Sequence, residues 1–392
     1  MKGLALVAIL LLAAACGSTH GSVGIPTASG APIAPVVSAE RTPATASRAR
    51  TECPASQPGP TASASAPSSR KLILVRLRGS QSYVVRDVTD IAHPFTVGTP
   101  DQLDGPQFVS ASDLSSRSYF DENALLRMPL RGSPRLVVAQ GCRGMIAFAW
   151  NPSGTAAAYV TDLSDGPGSQ LHLIANGRNE VVAAMPSVPW GVDCAGNCAD
   201  FVDSRLLYSQ NGNYVSLVQN WGGPILRIWT SAGKLLKSID GGGIAGSKLP
   251  TMSVWSGNTL YYRDAKGVES WSEGVEKTVL PGVSWIRPTA SAAGGSIVYE
   301  VRDAAGTPNV YLLDTATGTA RLLARSRSEP AFLTGRYVWW QQERPCISSD
   351  PYPCGTVFTS VPTRRTFVYD LQDQTETESL IDAVFDVWPH PA

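Results

Sequence analysis

The sequence predicts an all-β fold made from one repeated unit, and three observations carry that prediction. Residues 70–392 alternate short β-type runs with Gly, Pro, Asn and Asp turns, and no stretch keeps a helical period of apolar residues. An aromatic side chain recurs near the end of a short strand, just before a turn, at Phe108, Trp150, Phe201, Trp255, Phe332 and Trp388. Further strands follow each aromatic within a unit of roughly 33–56 residues, the size of one four-stranded propeller blade.

The elements fall into place in chain order. Residues 71–78, 83–88 and 95–98 read as strands two to four of a unit that lacks its first strand. Second strands are then expected at Ser118-Tyr119-Phe120-Asp121, residues 158–161, Leu207-Tyr208, and residues 261–264, 298–300 and 338–340. Third strands are expected at 125–128, 171–174, 226–229, 268–271, 310–314 and 367–370, and fourth strands at 135–138, 180–183 and 321–323. The segment 285–290 offers Pro288-Thr289-Ala290 where the other units place an aromatic. Residues 381–388 read as a first strand with nothing after it. Pairing that strand with residues 71–78 closes a ring of seven blades and removes open sheet edges. A six-bladed ring is the alternative, because the units around 70–100 and 250–283 are short.

One unit carries a near-complete turn motif: Trp150-Asn151-Pro152-Ser153-Gly154, then Ala158-Tyr159-Val160, then Leu171-His172-Leu173-Ile174. This resembles the repeat of TolB-like and WD-type β-propellers, whose pattern is an aromatic, Ser-Pro-Asp-Gly, an apolar strand, and a strand displaying a residue such as Tyr before Asp. Val310-Tyr311-Leu312-Leu313-Asp314-Thr315-Ala316-Thr317-Gly318 is similar to the second half of that pattern. The resemblance spans residues 70–392 and implies a β-propeller, a fold that does not by itself fix function.

Ahead of the repeat lies an address. Residues 1–15 hold one early charge, Lys2, an apolar run too short to span a bilayer, and Ala13-Ala14-Ala15 before Cys16. The segment resembles a bacterial lipoprotein signal, which implies cleavage before Cys16 and lipidation of its thiol; the alternative is ordinary cleavage and free secretion. Residues 16–69 are drawn mostly from Ala, Ser, Pro, Thr and Gly and read as a disordered tether. The expected location is outside the cytoplasm, lipid-anchored to the cell envelope.

Cysteine arithmetic agrees with export. Of seven cysteines, lipidation of Cys16 leaves six: Cys53, Cys142, Cys194, Cys198, Cys346 and Cys354. An even number in an oxidising compartment points to disulfides. Cys346 and Cys354 flank prolines of one loop and are the first pair expected. Cys194 and Cys198 form a tight local loop or pair with Cys142 and Cys53. Zinc is disfavoured, since no second Cys or His pair follows the Cys194-x3-Cys198 spacing.

Composition narrows the function classes. Thirty-two Lys and Arg balance thirty-two Asp and Glu, so nucleic acid and anionic lipid surfaces find no electrostatic footprint. No Gly-x-Ser-x-Gly or His-Glu-x-x-His occurs, and the only histidines are His20, His93, His172 and His390. In a propeller, the loops joining strand four to the next strand one share a face with those joining strand two to strand three. That face collects Trp190, Asp193, Asp162, Trp221 and Glu343, the candidate binding residues. The expected function is a non-enzymatic, monomeric, cofactor-free scaffold engaging a protein or cell-wall polymer. The alternatives are a propeller glycoside hydrolase or lyase with a carboxylate pair on the loop face, and an envelope sensor domain.

Overall fold

The computed structural model describes residues 69–100, 103–118, 124–131, 134–139, 145–161, 170–184, 205–219, 225–240, 253–342 and 365–390. The signal, the tether and Cys16 lie outside them. The described chain is all β. It opens with β1 (Leu72–Leu77), β2 (Tyr83–Asp87) and β3 (Phe95–Gly98). Blade two holds β4 (Leu103–Ser110), β5 (Asp113–Ser118), β6 (Ala124–Pro129) and β7 (Arg135–Ala139). Blade three holds β8 (Met145–Trp150), β9 (Ala156–Thr161), β10 (Gln170–Ala175) and β11 (Arg178–Ala184). Blade four holds β12 (Arg205–Tyr208), β13 (Tyr214–Gln219), β14 (Ile225–Thr230) and β15 (Leu235–Asp240). Blade five holds β16 (Ser253–Ser256), β17 (Thr259–Asp264), β18 (Gly267–Ser272) and β19 (Val275–Pro281). Blade six holds β20 (Ile286–Ala290), β21 (Ser296–Arg302), β22 (Pro308–Asp314) and β23 (Ala320–Arg325). Blade seven holds β24 (Ser328–Phe332), β25 (Tyr337–Gln342), β26 (Arg365–Asp370) and β27 (Thr375–Ser379). The last strand, β28 (Ile381–Trp388), returns to complete blade one.

This is a seven-bladed β-propeller, which removes the six-bladed alternative. Blade one has the strand order β28-β1-β2-β3, so both ends of the chain contribute to one sheet. Its register pairs Leu72 with Trp388, Leu74 with Asp386 and Leu77 with Ile381, antiparallel. Arg76 Nε donates to Asp382 Oδ2 at 3.0 Å, and Arg78 N–H to the Leu380 carbonyl at 2.8 Å, extending the seam past the ladder.

Each blade is buried on both faces by its neighbours, and that explains its sequence. Leu72, Ile73, Leu74 and Val75 form a continuous apolar run because every one of them is fully buried. Burial of each contributes about 1.5–3 kcal/mol. Between blades three and four, Ala147, Ala149, Ala158 and Val160 pack with Leu206, Leu217 and Trp229. Between blades five and six, Val254 and Tyr261 pack with Trp285, Ile297 and Tyr299. The fourth strands face solvent instead, and Val275, Val181 and Leu136 are exposed there.

Turns are set by side chains that imitate backbone. Asn151 Oδ1 accepts the N–H groups of Thr155 and Ala156 at 2.9 and 3.1 Å, and Asp314 Oδ1 those of Ala316 and Thr317 at 2.9 and 3.0 Å. Gly154 sits at φ 68°, where a Cβ would stand 2.5 Å from the Val109 carbonyl oxygen of blade two. The glycine of the Trp150–Gly154 turn is thus fixed both by conformation and by close approach of the preceding blade.

Two expected strands are corrected. The second strand of blade two is Asp113–Ser118, not residues 118–121, because a two-residue turn at Ala111-Ser112 reverses the chain immediately after β4. Leu207-Tyr208 ends the first strand of blade four, not its second. The turn Asn211-Gly212 follows it, with Gly212 at φ 74°, and the second strand starts at Tyr214. Tyr208 therefore takes the place expected for Phe201, which lies outside the described residues.

Ring closure yields a direct test. Deleting residues 381–392 removes β28 whole, leaving β1 as an open edge with its apolar faces uncovered. The expected outcome in a thermal melt is loss of the cooperative transition with aggregation; a soluble truncation that melts cooperatively would contradict closure by β28.

Candidate functional site: the central channel

Residues from all seven first strands line one cavity of about 440 Å³. This is the central channel of the ring, and its volume falls within the usual range of ligand pockets. A first strand has one neighbour in its own sheet, so its other edge carries unpaired N–H and C=O groups toward the channel.

Side chains from the preceding blade satisfy part of that edge, always in the same rotational sense. Asp386 of β28 accepts the Phe108 N–H of blade two at 2.6 Å. Gln107 Nε2 donates to the Phe148 carbonyl of blade three at 3.0 Å. From blade four, Arg205 Nη1 reaches the Ser253 carbonyl and Gln210 Nε2 the Trp255 carbonyl of blade five, both at 3.3 Å. Arg263 Nη1 of blade five donates to the Trp285 carbonyl, at the entrance to blade six, at 3.1 Å. Thr289 Oγ1 donates to the Pro330 carbonyl of blade seven at 3.1 Å. Trp339 Nε1 donates to the Ile381 carbonyl of β28 at 3.0 Å and completes the circuit. At the remaining junction, between blades three and four, the described contact is the apolar cluster around Trp229.

The channel end of three first strands is shaped by the same device, a residue at positive φ followed by proline. Gly105 (φ 59°), Arg287 (φ 49°) and Glu329 (φ 54°) precede Pro106, Pro288 and Pro330, each at a shift in register with the second strand. Two residues past each proline stand Phe108, Ala290 and Phe332. Ala290 is therefore the blade-six counterpart of the recurring aromatic, with Trp285 filling the adjacent core at 0% exposure. Non-glycine residues at positive φ cost on the order of 1–3 kcal/mol. Here Arg287 and Glu329 make an ion pair across two blades, and the Glu329 N–H donates to Glu300 Oε2 at 3.0 Å.

The ionisable groups are held individually. Asp386 Oδ1 accepts the Val387 N–H at 2.9 Å, and His390 Nδ1 lies 3.6 Å from the same oxygen. Burial pushes the Asp386 carboxyl up from the ordinary aspartate value, against the pull of His390, two main-chain N–H groups and Arg205. Glu329 Oε2 accepts from Gln341 Nε2 at 2.8 Å, and the Glu300 carboxylate, 1% exposed, stands 3.0 Å from Arg302 Nε. Among the described residues no three His, Cys, Asp or Glu cluster as a metal-binding group.

The residues expected to form the binding face, Trp190, Asp193, Asp162, Trp221 and Glu343, all lie outside the described residues. So do Cys53, Cys142, Cys194, Cys198, Cys346 and Cys354. The described strand ends on either side of those segments, β9 and β10, β11 and β12, β13 and β14, and β25 and β26, alternate as the propeller topology requires. The channel residues Gln107, Gln210, Thr289, Asp386 and His390 escaped sequence reasoning. The available signal was the x-Pro-x-aromatic spacing at Pro106 and Pro330, which fixes where a first strand meets the channel.

No family model matches this chain, and no curated protein does. Solved structures do. A putative 6-phosphogluconolactonase from Bacteroides fragilis aligns with a TM-score of 0.50 at 12% identity, over 82% of this chain and 99% of that one. TolB from Acinetobacter baumannii aligns at 0.44 and 15%, over 80% of this chain; this chain spans 65% of its length. An oligogalacturonate lyase in complex with manganese aligns at 0.48 and 12%, over 80% and 84%. At these identities the likeness to the lactonase is one of fold.

His172 belongs to the blade wall and not to the channel, and it supplies a pH test. Its ring stacks on Tyr159 at 4.4 Å, Nε2 lies 3.3 Å from Thr161 Oγ1, and only 7% of the residue is exposed. Burial lowers its pKa to about 4. Below about pH 6.5 the unfolded chain binds a proton that the native chain refuses, so stability falls as pH drops from about 6.5 to about 4. Denaturant titrations should show wild type losing on the order of 3 kcal/mol across that window relative to His172→Phe, which keeps the stacked ring. Parallel pH profiles for the two would contradict this.

Proposed function

We propose that this protein is an extracytoplasmic binding module, lipid-anchored through Cys16, that engages a protein or cell-wall polymer at the loop-bearing end of its channel. The observation that carries the reading is the state of Asp386, which lines the channel, and of Glu329 and Glu300 in the strands beside it. Asp386 accepts two main-chain N–H groups, Glu329 is engaged by Arg287 and Gln341, and Glu300 by Arg302 and the Glu329 N–H. Acid–base catalysis needs a carboxyl whose proton or lone pair is directed at a substrate, and among the described residues these three are directed at the fold. The rigid ring then acts as a platform, with specificity in the loops it displays.

The test is in-cell crosslinking and affinity capture of the tagged full chain, beside a variant with residues 190–198 replaced by a Gly-Ser segment. A matching melting temperature first establishes that the variant folds. The expected result is a partner recovered with wild type and reduced at least about tenfold in the variant. Equal recovery would remove the loop face from the reading. Release of reducing ends from wall glycans by the purified protein would replace binding with carbohydrate cleavage.

A further inference from the structure

Asp386 of the last described strand and His390, two residues beyond that strand, grip one residue of the next blade at both its amide and its carbonyl. Asp386 Oδ2 accepts the Phe108 N–H at 2.6 Å, and His390 Nε2 lies 2.8 Å from the Phe108 carbonyl oxygen. A carbonyl only accepts, so Nε2 carries the hydrogen. His390 Nδ1 and Asp386 Oδ1 approach to 3.6 Å, with 22% and 17% of the two side chains exposed. In a sheet this N–H and C=O would be paired by a neighbouring backbone, which cannot titrate. Here one of the partners is a carboxyl, which can.

We infer that Asp386 and His390 form a clasp at the ring closure whose Asp386 carboxyl is proton-linked, so that pH sets how firmly the C-terminal strand is fastened to blade two. The groups facing it come from four elements. His390 lies on the clasp's own segment. β12 brings Arg205, which lines the same cavity and attracts the carboxylate; β5 brings Arg117 to that cavity; and β4 brings Gln107 and the Phe108 main chain. β1 sets Leu74 opposite Asp386, and its Arg76 is paired with Asp382.

Burial outweighs the attractions, so the Asp386 carboxyl keeps its proton above the ordinary aspartate range. Between the ordinary and the raised values the native chain holds a proton that the unfolded chain releases. Closure therefore strengthens as pH falls through the raised value, opposite in sign to His172. Once protonated, the carboxyl still accepts the Phe108 N–H through its carbonyl oxygen, while the cost of a buried charge is relieved. Both side chains line the channel, so the same proton alters the charge that an occupant of the channel meets.

Thermal melts of the full chain from pH 8 to pH 3 test the clasp, comparing wild type with Asp386→Asn, which removes the charge and keeps an acceptor for the Phe108 N–H but not for the Val387 N–H. The effect of His172 is common to both and cancels. The melting temperature of the variant minus that of wild type is expected to fall by about 2–4 °C as pH drops from 8 through the raised aspartate value. A difference that does not change with pH would overturn the proposal. If the variant does not fold, the Phe108 amide resonance of wild type gives a second reading. Its pH midpoint is expected above the ordinary aspartate value, and a midpoint at or below about 4 would overturn the clasp.

Discussion

Everything in this molecule depends on one antiparallel pairing, that of β28 with β1. Seven twisted sheets laid side by side leave the first and last with a bare face and a bare edge. Here the chain solves both by splitting one blade between its two ends, with Leu72 opposite Trp388. The pairing joins residues separated by most of the chain, so the loop-closure entropy is met late and is repaid only when the last strand docks. Four fully buried aliphatic side chains on β1 and the Trp339-to-Ile381 hydrogen bond from blade seven supply that return.

Closure also creates the channel, and the channel brings its own constraint. A ring has an inner circumference of strand edges that neither a sheet partner nor an apolar core can cover. Among the described residues the chain meets it at six of the seven junctions with side chains passed from one blade to the next, among them Asp386 to Phe108, Gln107 to Phe148 and Thr289 to Pro330. The same bonds lock the blades in sequence around the channel.

The ring was legible in the sequence because burial on both faces writes itself as short, continuous apolar runs such as residues 72–75 and 297–299. The split blade was legible for a related reason: residues 381–388 formed a strand with no successor, and residues 71–78 a strand with no predecessor. Where two strands meet in a very short turn, the apolar pattern alone misplaced the boundary. Tyr119-Phe120 drew the second strand of blade two past its true end, and Leu207-Tyr208 was read one strand too late. The hydrogen bonds around the channel were not legible. Glutamine, threonine and aspartate in a strand read as solvent-facing, and only the ring geometry brings them against a neighbouring main chain. The segments with Trp190 and Trp221 carry no strand periodicity, so the sequence argues for them from composition and topology alone.

Amide hydrogen exchange under native conditions is the measurement that reaches the central claim most directly. If β28 is a structural member of the ring, the amides of β28 and β1 exchange only through global unfolding, with protection equal to that of β16 and β17 in blade five. Exchange in β28 that is faster by orders of magnitude, with β16 and β17 still protected, would make it a frayed terminus and leave the ring open.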